Sequence, residues 1–431
     1  MNGGEISKKH GLDLSAITIC ITCERRFLMA LKRMFCLLTG VSLLLASSAA
    51  WSAEVHGRSS TQFTWFNDIF TEKKQAELGE YLSLSVTKID KDNKLSIQGY
   101  GRLTQDVRNG DDPKGRLYYL YGDYSNLYDK VDIRLGRQFV NYAAGSALID
   151  GGKIELKNIG PVAFSIMGGR NVFFSLDSEA TRAQDFAFGV AGYLTGYRNT
   201  DAEVSYFMKF DKDGIARDQL GATFKQYMFN SLKVYGNTRF DMPSETFSEV
   251  MAGVKYFPIA DLVMTGEWYQ SYPTFDSTSI YSVFAVSRYQ EGVFRVDYTL
   301  NDKISANIGY SKQDFAGEDA DVVEVGCRIR PIEHLNVTLS YDHRNGYGGR
   351  LNGGIAEVSY EATKKLEVAG GLHHDVYERD KLTGDETARK YWLGGKYKIK
   401  DNMSASVRVE DNVNARYKED YSGRMAFNLD F

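Results

Sequence analysis

Two stretches of the chain carry one pattern: GVKYFPIADLVMTGEWYQ at residues 253–270 and GCRIRPIEHLNVTLSYDH at residues 326–343. In each, apolar residues occupy every second position, a proline with a few polar residues interrupts, and the alternation resumes. A period of two sends successive side chains to opposite faces of a strand, so each stretch predicts a strand, a tight turn and the next strand. The same period runs from Val55 to the C-terminus. In VHGRSSTQFTW, Val55, Gly57, Thr61, Phe63 and Trp65 alternate with His56, Arg58, Gln62 and Thr64. Leu95, Ile97 and Leu103 oppose Ser96, Gln98 and Arg102, and Leu232, Val234 and Phe240 oppose Lys233, Asn237 and Arg239. At the end, Met425, Phe427, Leu429 and Phe431 oppose Arg424, Asn428 and Asp430. Each strand has one oily and one polar face, and no stretch beyond the N-terminal region offers the ~18 apolar residues of a spanning helix.

A soluble sandwich alternates too, but its connections are of similar length at both ends. Here they fall into two alternating classes. Short polar turns are predicted at 90–94, 128–130, 157–161, 197–201, 257–261, 301–303, 330–334, 363–365 and 400–402. Longer segments rich in Gly, Asp and Glu are exemplified by 67–78, 171–184, 272–288, 345–353 and 377–387. Short turns on one rim and long loops on the other mark an outer-membrane barrel, and closure lets strands pair every backbone N–H and C=O in hydrocarbon. The expected fold class is all-β: a transmembrane antiparallel up-and-down β-barrel of about 22 strands (roughly 18 to 22), with short periplasmic turns and longer outer loops. Residues 279–290, SIYSVFAVSRYQ, are assigned to an outer loop, because a strand there would put two short turns on opposite rims. Aromatics near strand ends, among them Trp65, Trp268, Tyr256, Tyr310, Tyr397 and Phe431, suit interfacial girdles.

Composition agrees: 28 Tyr, 24 Phe and 41 Gly against 6 Pro favour strands and tight turns. Lys32 and Arg33 precede a short apolar run from Met34 to Leu45 and then small residues, as in a secretory signal cleaved after Ser52 or Ala53. Residues 1–53 are thus expected to be an upstream extension and signal peptide, with Met29 as the true start, and 54–431 the barrel. Removing 1–53 takes away Cys20, Cys23 and Cys36, with the CITC at 20–23, and leaves 46 basic against 53 acidic residues. The exported chain keeps Cys327 alone and so has no internal disulfide. Cys327 falls on the lipid-facing set with Val325 and Ile329.

The polar face predicts the lumen. Arg102, Arg134, Lys225, Lys233 and Arg239 lie on it in the first half of the barrel, Lys255, Arg295, Arg328 and Arg344 further on, and Lys396, Arg408 and Arg424 near the end. Acidic residues are interleaved: Glu267 and Asp297, with Glu249, Glu324, Asp342, Glu357 and Glu410. Charged rings inside a pore tune the passage of ions and solutes. The signs are mixed enough to form wall salt bridges, and the slight basic excess suggests a weak anion preference. In GLHHDV at 371–376, His373 and Asp375 share the inward set, but no nucleophile completes a catalytic group. Adjacent strand residues face opposite ways, which weakens the pair as a metal site. GYGGRLNGG at 346–354 has no helix after it and reads as a flexible loop instead of a phosphate cradle. No catalytic residue, metal or cofactor is assigned, and no motif or basic tail points to nucleic acid.

IRLGRQF at 133–139 carries Leu135, Gly136, Arg137 and Gln138. The chain resembles Gram-negative outer-membrane porins in overall organisation, and porins of the general diffusion type often carry a similar Leu-Gly-Arg-Gln before their third outer loop. The resemblance implies that 141–149 form that loop, and Gln138 joins the lumen-lining candidates. NYAAGSALI is too short to fold deep into a pore, and the alternation points Arg137 outward. Two functions follow as expectations. The first is a porin, a water-filled channel for passive diffusion of ions and small polar solutes. The second starts from width: no segment reads as an N-terminal plug, and a wide empty barrel looks like the sleeve of porin–cytochrome conduits. That resemblance is one of architecture and size, and it implies a multihaem cytochrome as partner for electron transfer across the outer membrane. The chain itself has no C-x-x-C-H to attach haem. Outer-membrane lipid is a partner in either case. A homo-oligomer stays open, because no patch of small, flat outward residues stands out.

Overall fold

The computed structural model describes residues 53–68, 70–110, 112–174, 179–279, 286–378 and 384–431, the side chains of 179–184 excepted. The expected Met29 start, the CITC pair and the signal peptide up to Ser52 lie outside the described residues.

Among the described residues the period-two pattern becomes 22 antiparallel strands in one sheet. The first eight are β1 (Glu54–Asn67), β2 (Lys74–Thr87), β3 (Leu95–Asp106), β4 (Lys114–Leu127), β5 (Val131–Tyr142), β6 (Gly145–Ile159), β7 (Val162–Phe174) and β8 (Glu179–Tyr197). Then come β9 (Thr200–Asp211), β10 (Gly214–Met228), β11 (Leu232–Asp241), β12 (Thr246–Ile259), β13 (Leu262–Ser271), β14 (Tyr289–Asn301) and β15 (Ile304–Phe315). The last seven are β16 (Glu318–Ile329), β17 (Leu335–Gly346), β18 (Arg350–Thr363), β19 (Leu366–Glu378), β20 (Asp385–Lys400), β21 (Met403–Val413) and β22 (Tyr421–Asp430). Each strand pairs with its sequence neighbours, and β1 also pairs with β22 over Arg58–Trp65, which closes the ring. The C-terminus seals the seam: Gly57 N–H donates to the Phe431 carbonyl at 2.8 Å, and Phe431 N–H to the Gly57 carbonyl at 3.0 Å.

Connections from even to odd strands share one rim. Nine coincide with the predicted turns; the tenth, 229–231, is hidden in sequence because YMFNSL keeps large apolar residues through the bend. Between β8 and β9 the connection is Arg198–Asn199 alone, with φ of 52° and 62°. Left-handed conformation at both central residues matches the twist of the strands they join. On the other rim the strands run into the segments predicted as loops. β2 begins at Lys74, β8 at Glu179, β18 at Arg350 and β20 at Asp385, and β13 ends at Ser271 with β14 beginning at Tyr289. Of the segment 279–290, Ser279 and residues 286–288 are outside any strand, Tyr289 and Gln290 begin β14, and 280–285 lie outside the described residues.

The two faces are chemically distinct. Leu135, Ile154, Phe164, Val204, Ile308 and Leu393 stay exposed, all on one parity of their strands. Cys327 shares that outward set with Val325. Exposed outward tyrosines form two belts, Tyr256, Tyr298, Tyr360 and Tyr397 near the short-turn rim and Tyr310, Tyr341 and Tyr391, with Trp268, towards the other. Amphipathic rings take such positions at the two boundaries of a bilayer.

Candidate functional site

The inner wall is interrupted where β5 and β6 leave it. β5 pairs with β4 only up to Arg137, and β6 pairs with β7 only from Ile149. Beyond those points Gln138–Tyr142 and Gly145–Leu148 pair with each other alone, joined by Ala143–Ala144. Gly136, at φ 126°, sits where this hairpin leaves the wall. The tip then lies against the inner face of β7 to β11. Ala143 N–H donates to Glu203 Oε1 at 2.6 Å and Ala144 N–H to Ser205 Oγ at 2.9 Å, both on β9. Arg239 Nε of β11 donates to the Ala143 carbonyl at 3.2 Å. The expectation that 141–149 form a loop too short to reach into the pore is corrected: the reach comes from strand, not loop. Five extended residues such as 138–142 span about 16 Å at ~3.3 Å each.

Packing holds the hairpin as firmly as its hydrogen bonds. Val140, Tyr142, Ala144, Ala147 and Ile149 are buried against Met167 of β7, Ala187 and Ala191 of β8 and Phe207 of β9. Tyr142 Oη and Ser165 Oγ are 2.7 Å apart. Full burial of a Val or Ile side chain contributes about 1.5–3 kcal/mol before ordering costs. The receiving wall is made of small residues. At Gly221 of β10 an added Cβ would stand 2.1 Å from Ala144 N, so backbone passes where a side chain would otherwise be. Ala187, Gly189, Ala191 and Ser205 continue this floor. Small apolar residues on the inward set of β8, where polar ones are expected, were the available sequence signal. Glu203, Ser205, Gly221 and Tyr142 are the site residues the sequence did not single out.

Gln138, a lumen-lining candidate, is fully buried beneath the hairpin, where its Nε2 donates to the Gly151 carbonyl at 3.3 Å. It faces the wall and not the bore, because the hairpin has turned its inward set against β7 to β9. Arg137 keeps the outward parity of Leu135. It is mostly buried all the same, with Nε 2.7 Å from Asp150 Oδ1 across the hairpin.

The other candidates lie on the inward set, and most are paired. Arg134 forks onto Asp123 at 2.7 and 3.0 Å, Lys225 reaches Asp201 at 2.7 Å, and Arg295 reaches Glu324 at 3.3 Å. Arg239 adds Glu249 at 3.3 Å to its hairpin contact. Glu267 accepts from the Tyr235 hydroxyl, and the Lys233 ammonium stands 4.9 Å over the Tyr235 ring. Lys233 lies directly opposite Lys255 in the ladder. Asp297 and Arg328 line the wall between β14 and β18 with Glu324, Asp342 and Arg344. Arg344 Nη2 donates to the Tyr347 carbonyl at 3.1 Å, and Arg102 lies 6.0 Å from the Tyr118 ring centre. Lys396, Arg408 and Arg424 surround a recess of ≈ 960 Å³ with Arg58 and Trp392. There Arg408 stacks over Trp392 at 4.1 Å and reaches Glu410 at 2.6 Å, and Arg424 is its direct ladder neighbour. His373 Nε2 is 3.3 Å from Glu357 Oε1. Among the described residues no group of His, Cys, Asp and Glu is arranged to hold a metal.

A second infolding meets the hairpin. From the connection between β13 and β14, Asp276 binds Arg217 at 2.6 Å and Lys209 at 2.8 Å, and Thr274 accepts from Arg217 through both its hydroxyl and its carbonyl at 2.8 Å. Burial pushes the Asp276 carboxyl up, but the hydrogen bonds and charges of Lys209 and Arg217 outweigh it and hold the group below its ordinary 3.8. Between this loop and the hairpin tip lies a polar cavity of ≈ 400 Å³, lined in part by Gln219, Arg239 and Glu249.

A closed ring, an apolar belted exterior and a charged interior narrowed from within leave one architecture. This is a closed antiparallel β-barrel of the outer-membrane type. No protein-family model matches the chain, and no curated protein does. Solved structures similar to it include OccK3 (OpdO) of Pseudomonas aeruginosa, 10% identical, with 88% of this chain and 96% of that one covered at a TM-score of 0.44. OccK2 (OpdF) of the same organism, solved in complex with glucuronate, is 11% identical, with 88% and 98% covered at a TM-score of 0.46. The translocation pore of the P pilus usher PapC is 9% identical, with 87% and 99% covered at 0.46. Likeness at these values says nothing of solute or partner.

Proposed function

We propose that the chain is an outer-membrane channel for passive diffusion of ions and small polar solutes, and that the β5–β6 hairpin is its constriction. The observation that carries the reading is the hairpin itself, built from continuous strand and clamped to β9 and β11 by three hydrogen bonds at 2.6–3.2 Å. A closed ring with an aqueous interior needs only a narrow point to select by size, and charged walls then bias the ions that pass. The inward Arg and Lys residues, Arg408 and Arg424 above all, are the groups proposed to set a weak anion preference. The sleeve alternative requires a bore clear enough for a haem protein, and the hairpin occupies part of that bore. Location in the outer membrane of a Gram-negative bacterium, with cleavage of residues 1–53, belongs to the same proposal.

Single-channel recording in a planar bilayer tests it. The purified barrel should give stable steps proportional to salt, with a reversal potential showing weak anion preference. A variant with 139–148 replaced by Asn-Gly should give steps about twofold larger or more, as expected for a widened bore. Silence of the haem-free protein would overturn the channel, and equal steps would overturn the hairpin's role.

A further inference from the structure

The inner wall of β3 and β4 carries a strip of aromatic rings that the constriction does not use. The ladder between these strands shifts register between Tyr100 and Gly101, and Tyr118 is the extra residue. A bulge of this kind re-aims side chains, and here both Tyr118 and Tyr119 turn inward. The rings run as a chain: Tyr118 and Tyr100 stack at 5.0 Å, Tyr100 and Tyr119 stand 5.9 Å apart, and Tyr119 and Tyr121 5.6 Å. At the loop rim Phe174, from the tip of β7, meets Tyr118 edge-on at 5.5 Å. The strip therefore descends from the loop rim towards mid-barrel. It lies beside the place where β5 leaves the wall: the ladder between β4 and β5 begins only at Leu120 and Arg137, and Arg137 Nη1 reaches back to the Leu117 carbonyl at 3.2 Å.

We propose that this strip is a binding track for pyranose rings, which makes sugars the solute class of the channel; the proposal rests on the channel reading above. A pyranose presents a flat C–H face and an equatorial edge of hydroxyls. The strip supplies both complements: half-buried tyrosine rings for stacking and hydrogen-bonding groups along their edges. Tyr121 Oη donates to Gln98 Oε1 at 2.8 Å, which leaves its oxygen free to accept. The Arg134 guanidinium stands 4.2 Å over Tyr121 with its charge matched by Asp123. Arg116 lies 4.8 Å over Phe174 and Arg102 lies beside Tyr118. Arg134 and Arg116 each cover one face of the ring beneath them, which leaves Tyr118 and Tyr119 as the stacking positions, with the guanidinium groups at the edge of the strip as donors.

The test uses the full barrel in planar bilayers, with ion current recorded first without sugar. Maltotriose should then block the current reversibly, while sorbitol, an acyclic polyol, at equal hydroxyl concentration should not. Tyr118→Ser and Tyr119→Ser should each raise the half-blocking concentration by about threefold to tenfold, the scale of one lost ring contact, and Tyr118→Phe should restore it. Open current should change less than the half-blocking concentration does. Equal block by sorbitol, or no shift in the Ser variants, would overturn the track. Block by benzoate without block by maltotriose would overturn it in favour of ring acids. Calorimetric titration of the detergent-solubilised barrel with maltotriose separates the two proposals. Heat of binding without conductance would sink the channel and keep the track, and conductance without binding or block would do the reverse.

Discussion

A Cβ at Gly221 would stand 2.1 Å from Ala144 N and 2.2 Å from the Ala143 carbonyl carbon, both backbone atoms that cannot rotate away. Gly221→Val is therefore expected to lift the hairpin tip off β9 and β10, at a cost of about 1–3 kcal/mol for the forced shift. The outward half of β10 is untouched, so the barrel should still assemble while its single-channel conductance rises. An unchanged conductance in a correctly folded variant would show that the tip does not limit flow. Gln138 teaches the complementary lesson at this scale. Its parity, even-numbered on β5, is inward as the alternation states, but inward at that height means against the wall.

At the scale of elements, the hairpin and the loop from β13 to β14 are held differently. The hairpin buries apolar side chains, while residues 272–279 are held by charge, through Asp276, Lys209 and Arg217. A carboxylate whose folded pKa is depressed stabilises its contacts fully above its ordinary pKa, and that stabilisation is lost as pH falls through the folded value. Asp276 lies below 3.8, so the loop should stay docked at neutral pH and at pH 5, and loosen only under stronger acid. Current noise recorded from pH 7 down to about pH 3 checks this: noise should grow only at the acid end, and in Asp276→Asn it should be high throughout. Growth near pH 6 would point to a different titrating group.

The whole molecule is organised by which face meets lipid. Val325 is exposed on the outer face and Glu324, its neighbour, lies on the inner one. Val325→Arg is expected to destabilise the barrel by about 2–4 kcal/mol near the membrane midplane, whereas Glu324→Gln should cost far less, since it loses one partly exposed ion pair. Urea unfolding in lipid vesicles measures both, and equal losses would refute the assignment of faces. That assignment was legible from sequence alone, because a period of two is a local property: Leu95, Ile97 and Leu103 declare one side whatever their partners are. A barrel of roughly 18 to 22 strands and the sidedness of nine short turns followed from it, while the turn at 229–231 stayed hidden among large apolar residues. The hairpin was not legible. Whether Val140, Tyr142 and Ile149 meet lipid, water or another strand depends on Met167, Ala187, Ala191 and Phe207, which alternation cannot bring into view. The same holds for the tyrosine strip, where a one-residue bulge at Tyr118 re-aims a side chain that strict alternation sends outward. Sequence by itself determined the faces of each strand and hence the closed membrane barrel, since backbone pairing in hydrocarbon admits no other use of them. Only the tertiary structure decided where the bore narrows, because that depends on contacts between strands distant in the chain and on small residues that leave room for them.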